Sequence, residues 1–479
     1  MYDEDTGSFP HEFMPVATKG PMPGLLVAHA PWASAKADTV YIEKSLIAGR
    51  AGECELEMWD SMLSRHHFTI ENKGEECSIT DPGSKNGTFV NSHRVLKEMI
   101  LEDQDVIRAG ETLMVFQKNV FDFMFYANKY RRMFNYGLAG GFHSALLRSE
   151  LKECARSDRN VLIAGATGSG KELAAHAVAA MMDRPLTVQN AARYSNEEEA
   201  TASLFGVGHR VFTDTDARRG FIERAGGGVL FLDEVHNLPR RVQKSLLRIM
   251  EDNELARIGE TDSRPVDVRF VFASNEPGPG YGIEQDLLAR LRVVNIPPLS
   301  KRKADIPDIF SHLLYCACED AGINELKLVN AIGAFHYEVM MTDGFEENNV
   351  RGLVDIIDRI ISKVRAGREE KRAIDDVFSA KYGVIFPAPL QEQRRERPVR
   401  KKPPSIGSRP TMDYGVPANS EDELYEQVRS ASEKHGGNVA AIKRELDEKG
   451  IPRSRTRIAR ILDALKIRRT RKGRRKKRK

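Results

Sequence analysis

Val161-Leu162-Ile163-Ala164-Gly165-Ala166-Thr167-Gly168-Ser169-Gly170-Lys171-Glu172 is the stretch of this chain on which its fold turns. The four apolar residues read as a strand, the next seven follow the pattern G-x-x-x-x-G-K, and Leu173 to Ala180 read as a helix. A strand, a glycine-rich turn and a helix in that order are what a P-loop requires. Gly165, Gly168 and Gly170 let backbone N–H groups wrap phosphates, and the helix N-terminus adds partial positive charge. Lys171 is placed to neutralise β and γ oxygens, so ATP with Mg2+ is the expected cofactor set. The Ser or Thr that ordinarily follows the lysine as a magnesium ligand is here Glu172.

Downstream, Gly226-Gly227-Gly228-Val229-Leu230-Phe231-Leu232-Asp233-Glu234 reads as a buried strand ending in two acids. Asp233 is expected to hold magnesium through water, and Glu234 to orient and polarise an attacking water. Phosphoryl transfer needs mainly this positioning and charge compensation. From 137 to 372, strand-like runs such as Phe270-Val271-Phe272 alternate with longer helical stretches. That alternation predicts βαβ units around a largely parallel sheet.

These motifs, with Leu204-Phe205-Gly206, Ala273-Ser274-Asn275, Asp286-Leu287, Arg290-Leu291 and Asn349-Val350-Arg351, resemble the central AAA+ domain of sigma-54-dependent activators, also called bacterial enhancer-binding proteins. That family has Glu after the P-loop lysine, which accounts for Glu172. The resemblance implies a helical lid on the ATPase and a role for each matching residue. Asn275 would sense the γ-phosphate, and Asn190 would hold Glu234 in check. Arg290 would be an arginine finger acting on a neighbouring subunit, and Arg351 a second sensor. A finger acting in trans implies a ring-shaped homo-oligomer, a hexamer. Glu284 stands where the family often carries another arginine.

The family's sigma-contacting loop, Gly-Ala-Phe-Thr-Gly-Ala, corresponds to Arg210-Val211-Phe212-Thr213-Asp214-Thr215. Phe212 and Thr213 are kept, while charged residues replace both glycines that let such a loop extend. Two functions therefore stand open. One is an activator working through RNA polymerase with sigma-54; the other is a DNA-binding regulator or repressor that does not. A phosphopeptide-binding scaffold with an inactive ATPase is a third, of a different class.

Ahead of this region, short β-type runs alternate with turn residues, which predicts a β-sandwich. Within it come Gly49-Arg50, then Ser64-Arg65-His66-His67, then Asp81-Pro82-Gly83-Ser84-Lys85-Asn86-Gly87. The order resembles the forkhead-associated (FHA) domain, continuing through Leu101–Ile107 to Gly110. A phosphate dianion calls for a permanent guanidinium plus neutral donors. Arg50 and Ser64 supply these, and Arg65 and Lys85 add charge. Asn86 can bond a peptide backbone, and Gly87 permits the turn. The resemblance implies recognition of a phosphothreonine-containing protein or kinase by Arg50, Ser64, Arg65, Lys85 and Asn86, with His67 bracing the loop from inside. A structural sandwich with an unused pocket is the alternative.

At the rear, Val439 to about Glu448 and Ser454 to Leu465 read as two helices around Lys449-Gly450-Ile451-Pro452. Ile458, Ile461, Leu462 and Leu465 form an apolar stripe, opposed by Arg455, Arg457 and Arg460. This reads as a DNA-binding helix-turn-helix, and it resembles the Fis-type module of the same activators. Ten of the last twelve residues are Lys or Arg, so the formal charge of +4 is concentrated there. Such a tail is either solvated charge or a polyanion contact.

The expected fold class is thus multidomain. A flexible leader (1–24) precedes the FHA β-sandwich (25–118) and a linker (119–136). An α/β P-loop AAA+ domain with helical lid (137–372) and a Pro-rich basic linker (373–420) follow. An all-α helix-turn-helix (421–467) and a polybasic tail (468–479) complete the chain. Hydrophobic residues at 41% and charged residues at 30% suit folded domains. No apolar run approaches the roughly 20 residues that span a bilayer, and the acidic N-terminus lacks a secretory pattern. Five cysteines, an odd number with no CxxC spacing, read as reduced thiols with no zinc site. The expected location is cytoplasmic, with no membrane partner.

Overall fold

The computed structural model describes residues 21–31, 38–124, 137–209, 217–275 and 282–384, with Lys434 and Ile442 as isolated positions. The chain divides into two units, Met1–Ala388 and Pro389–Lys479. Arg455, Arg457 and Arg460, with the polybasic tail, lie outside the described residues, as do Phe212 and Thr213.

The front of the first unit is a sandwich of two sheets. One has the order β2 (Thr39–Tyr41), β1 (Gly24–His29), β11 (Thr112–Gln117), β10 (Val106–Ala109), β7 (Thr88–Val90), β8 (His93–Arg94). The other runs β4 (Leu56–Glu57), β3 (Ser45–Gly49), β5 (Phe68–Asn72), β6 (Cys77–Thr80), β9 (Met99–Leu101). All pairings are antiparallel except β3 with β4. Leu25, Val27, Ile107, Met114 and Phe116 fill the space between the sheets with Phe68, Ile70 and Ile79.

The central sheet is parallel throughout, in the order β13 (Leu186–Asn190), β16 (Gly228–Asp233), β19 (Val268–Ser274), β12 (Val161–Ala164), β20 (Arg292–Asn295). Two small hairpins, β14 (Gly206–Val207) with β15 (Arg218–Arg219) and β17 (Glu254–Leu255) with β18 (Arg264–Pro265), flank it. Its three inner strands, β16, β19 and β12, are buried nearly end to end rather than alternately, as a sheet covered on both faces requires, while the edge strands β13 and β20 are half-buried. On one face lie α1 (His143–Arg156) and α2 (Lys171–Met181). On the other lie α3 (Glu197–Phe205), α4 (Phe221–Arg224), α5 (Arg240–Asp252) and α6 (Gln285–Ala289).

The helical lid comprises α7 (Ile306–Ala321), α8 (Glu325–Ala331), α9 (Ala334–Asp343), α10 (Val350–Arg365) and α11 (Glu370–Tyr382). The last corrects the expected linker from 373. Ala373, Ile374, Val377 and Phe378 are buried, and α11 packs on α10 and α8. Its apolar stripe at helical spacing holds it on the lid until Gly383, which ends it in a left-handed conformation at φ 67°.

The sandwich and the lid share one core. Leu26, Ala28, Val106, Leu113 and Val115 turn from the first sheet onto Ile306, Phe310, Tyr337, Met340 and Ile357 of the lid. Strands β1 and β11 are consequently covered on both faces and buried nearly throughout. Val120 and Phe123, in the segment expected to be a linker, are buried in the same core, and the Phe123 ring meets those of Phe142 and His143 edge-on.

Candidate functional site

The P-loop lies between β12 and α2, directly beside β19 and the lid. Gly170 starts α2 at φ 103°, and a Cβ there would meet nothing within 4 Å. At Gly168 the opposite holds: φ is 74°, and a Cβ would stand 2.6 Å from the carbonyl of Asn348. One glycine keeps the cradle open, and the other lets the lid approach. Ser169 Oγ is buried with no hydrogen-bond partner among the described residues. An open turn, a helix N-terminus and an orphaned hydroxyl together fit a phosphate chain.

Lys171 Nζ donates to the carbonyls of Gly165 (2.8 Å) and Ala166 (3.2 Å). Burial pulls its pKa below the ordinary lysine value; Asp233 and Glu234 oppose that, and Arg351 reinforces it. Those four side chains therefore share one electrostatic neighbourhood. Glu172 is exposed in the first turn of α2, where a carboxylate suits the helix dipole.

Asp233 ends β16, in register with Asn190 of β13. Asn190 Nδ2 lies 3.5 Å from Asp233 Oδ2, and its Oδ1 accepts from the N–H of Ala192. The expected Asn190–Glu234 pairing is therefore not what the geometry gives: the parallel register puts Asn190 against Asp233. Glu234 turns sharply away in a left-handed conformation (φ 53°, ψ 44°), and its carboxylate accepts from Asn237 Nδ2 at 3.3 Å. A non-glycine residue held there stores backbone strain.

Asn275 is exposed just past β19, whose Ser274 carbonyl accepts from Gly165 N–H, so it stands beside the start of the P-loop. Arg290, at the end of α6, is exposed and pairs with Glu251 at 2.9 Å. It is thus a surface group of its own protomer. Glu284 accepts an ion pair from Arg240 at 3.2 Å.

Two residues without an assigned sequence role complete the joint between P-loop and lid. Asn349 is fully buried at φ 49°. Its Oδ1 accepts from Leu299 N–H at 2.9 Å, and its Nδ2 donates to the Thr167 carbonyl at 3.1 Å. The next residue, Val350, donates its N–H to the Gly168 carbonyl, and the Arg351 stem lies along the same glycine. Arg302, 4% exposed, donates to the Ser169 carbonyl at 2.8 Å. Asn349 stood in a motif already singled out; Arg302 had no local signal.

The second site is the loop end of the sandwich. Gly49 lets the chain pass so close to Arg65 that a Cβ would sit 2.1 Å from its carbonyl oxygen. Arg50, exposed at the end of β3, donates its N–H to the Ser64 carbonyl. Ser64 Oγ accepts from Lys85 N–H (3.1 Å), and Asn86 Nδ2 donates to the Met62 carbonyl (2.6 Å). Arg65 and Lys85 are exposed alongside. His67 is fully buried beneath them: Ser64 N–H donates to its Nδ1, and its Nε2 meets the Gly87 carbonyl at 3.2 Å. It braces the loop from inside.

Asp81 shapes the neighbouring turn by accepting from the N–H groups of Gly83, Ser84 and Thr88 and from Ser84 Oγ. Burial works to raise its pKa, but these hydrogen bonds prevail and the carboxyl sits below its ordinary value.

Residues 143–297 match the Sigma-54 interaction domain family, and residues 46–110 match the FHA domain family. The chain carries both of these domains. The sigma-54 interaction domain thus holds the P-loop, and the FHA domain holds the exposed cationic loops. The C4-dicarboxylate transport transcriptional regulatory protein DctD of Rhizobium meliloti (strain 1021) is 35% identical over 255 residues, 51% of this chain and 53% of the relative. The Sigma54-dependent transcriptional regulator SfnR of Pseudomonas fluorescens (strain Pf0-1) is 34% identical over 239 residues, 48% of this chain and 63% of the relative. The chain spans 53% and 63% of these two curated relatives. Among solved structures, NtrX from Brucella abortus aligns with a TM-score of 0.43 at 26% identity, covering 67% of each chain.

Proposed function

We propose that this chain is an ATP-hydrolysing, DNA-binding transcription regulator of the sigma-54 activator type that takes phosphothreonine-dependent input through its FHA domain. The observation that carries the reading is an open P-loop with Lys171 held on the Gly165 and Ala166 carbonyls, the Ser169 hydroxyl buried without a partner among the described residues and the Arg351 stem against Gly168, inside a sigma-54 interaction domain. Lys171 exchanges its two carbonyl partners for phosphate oxygens, and Glu234 polarises water for in-line attack. Asp233 would hold a magnesium ion, which would supply charge compensation at the phosphates. Exposed Arg290 serves a neighbouring protomer, so that turnover depends on assembly into a ring. Arg50, Ser64, Arg65, Lys85 and Asn86 read a phosphothreonine segment. Arg455, Arg457 and Arg460 contact promoter DNA.

ATP turnover by the purified full chain tests the enzymatic half. The expectation is steady turnover that rises with protein concentration and is abolished in Lys171→Ala, with the thermal midpoint little changed. Equal turnover in that variant sinks the assignment.

A second reading rests on the sequence Arg210-Val211-Phe212-Thr213-Asp214-Thr215, which has charge where the sigma-contacting pattern has glycine. Under it the chain regulates without sigma-54, as another kind of regulator or a repressor. Open-complex formation by sigma-54 polymerase on a promoter bound by the chain excludes this reading. DNA binding with ATP turnover but no open complex favours it.

A further inference from the structure

Two lines of contact run from the phosphate-reading loops of the FHA domain into one lid helix. The first starts at Met62, whose carbonyl accepts from Asn86 and whose N–H donates to Asp60 Oδ1 at 2.8 Å. Asp60 is 2% exposed. Its other oxygen accepts from Glu111 N–H (2.7 Å) and Thr112 Oγ1 (3.2 Å). Glu111 then reaches out of the sandwich, and its Oε2 accepts from the N–H of Ala334, the first residue of α9, at 3.3 Å. The second line starts at Phe89 in β7, just past the Lys85-Asn86-Gly87 turn. The Arg108 guanidinium lies 4.1 Å from that ring's centroid, and Arg108 Nε donates to Glu338 Oε2 at 2.6 Å. Glu338 is fully buried in the middle of α9. Helix α9 packs on α7, α7 packs on α10, and α10 begins on the carbonyl of Gly168 in the P-loop.

We propose that phosphopeptide occupancy of the FHA domain and nucleotide occupancy of the P-loop are coupled within a single protomer through α9. Glu111 and the Arg108–Glu338 pair are the transmitting contacts. The proposal rests on the cradle being a phosphothreonine reader and the P-loop an ATP site. A phosphate drawn in between Arg50, Ser64 and Asn86 reorders the 60–64 and 84–87 loops. Asp60 has no solvent to absorb that shift, and close-packed interiors pass displacement on rather than dissipate it. The lid helix that receives it belongs to the body whose other end contacts Gly168 and carries Arg351. Such coupling is reciprocal by thermodynamic necessity.

The test uses the full chain, a fluorescent ADP analogue, and a pool of peptides with a fixed phosphothreonine and degenerate flanks. An unphosphorylated pool is the control. Saturation with the phosphorylated pool is expected to change the ADP Kd by about fivefold or more, and the control pool to leave it unchanged. In Glu111→Ala, and in an Arg108→Met/Glu338→Met double variant, each ligand still binds but the mutual effect vanishes. An ADP Kd indifferent to bound phosphopeptide in the unaltered chain overturns the proposal, as does an effect that survives in both variants. A phosphorylated pool that fails to bind, with ADP binding intact, overturns the reading of the cradle and the proposal with it.

Discussion

His67 is a neutral imidazole in the folded chain, because burial lowers its pKa below the ordinary 6.5 and the Gly87 carbonyl and nearby acids only partly oppose this. An unfolded chain takes up the proton near 6.5, and the folded one only at lower pH. Its contribution to stability is therefore complete above pH 6.5 and is lost as pH falls from there toward the folded value. The urea midpoint of the full chain, read at the unit that holds the FHA domain, is expected to drop between pH 7.5 and 5.5, and to drop less in His67→Gln, which has no proton to take up. Asn349 acts at the other site by holding Thr167 and Leu299 together. In Asn349→Ala the Leu299 N–H is left buried without its partner, a loss of about 1–3 kcal/mol. Nucleotide binding, measured with a fluorescent ADP analogue, is expected to weaken in that variant while the central sheet stays folded. An unchanged Kd argues that the lid needs no such stitch.

Helix α9 and strand β10 meet through Arg108 and Glu338, and this pair is asymmetric in its consequences. Arg108→Ala strands a fully buried carboxylate and is expected to cost about 3–5 kcal/mol, whereas removing both charges together with apolar replacements approaches neutrality. Thermal midpoints of the single and double variants check this; equal losses in the two contradict it. At this scale much of the fold was legible. The β12–P-loop–α2 unit is contiguous, so its strand, turn and helix are written in neighbouring residues. Helix α11 is hidden in the sequence because its charged surface runs into a Pro-rich stretch, although Ile374, Val377 and Phe378 have helical spacing. The docking of the sandwich also left a trace: Leu25-Leu26-Val27-Ala28 and Leu113-Met114-Val115-Phe116 are continuous apolar runs, where a strand with one wet face alternates. The partner of Asn190 could not be read, because it depends on the register between β13 and β16. The roles of Arg302 and Glu111 depend on residues far away in the chain.

Over the whole described unit, the FHA domain is built into the lid of the P-loop domain rather than tethered to it. Removing residues 1–124 bares Ile306, Phe310, Tyr337 and their neighbours, an apolar face of the kind that drives association. The truncated chain is expected to aggregate in light-scattering measurements under conditions where the full chain stays dispersed. A soluble, monomeric, nucleotide-binding truncation contradicts a shared core. The same joint sets a timetable during synthesis. The sandwich is complete once Gln117 has left the ribosome, but α7 begins only at Ile306, so at about 5–20 residues per second its outer sheet face waits roughly 10–40 s for a cover. A nascent chain with that interval to survive is a natural client for a holding chaperone, and slowing translation between the two lengthens the exposure.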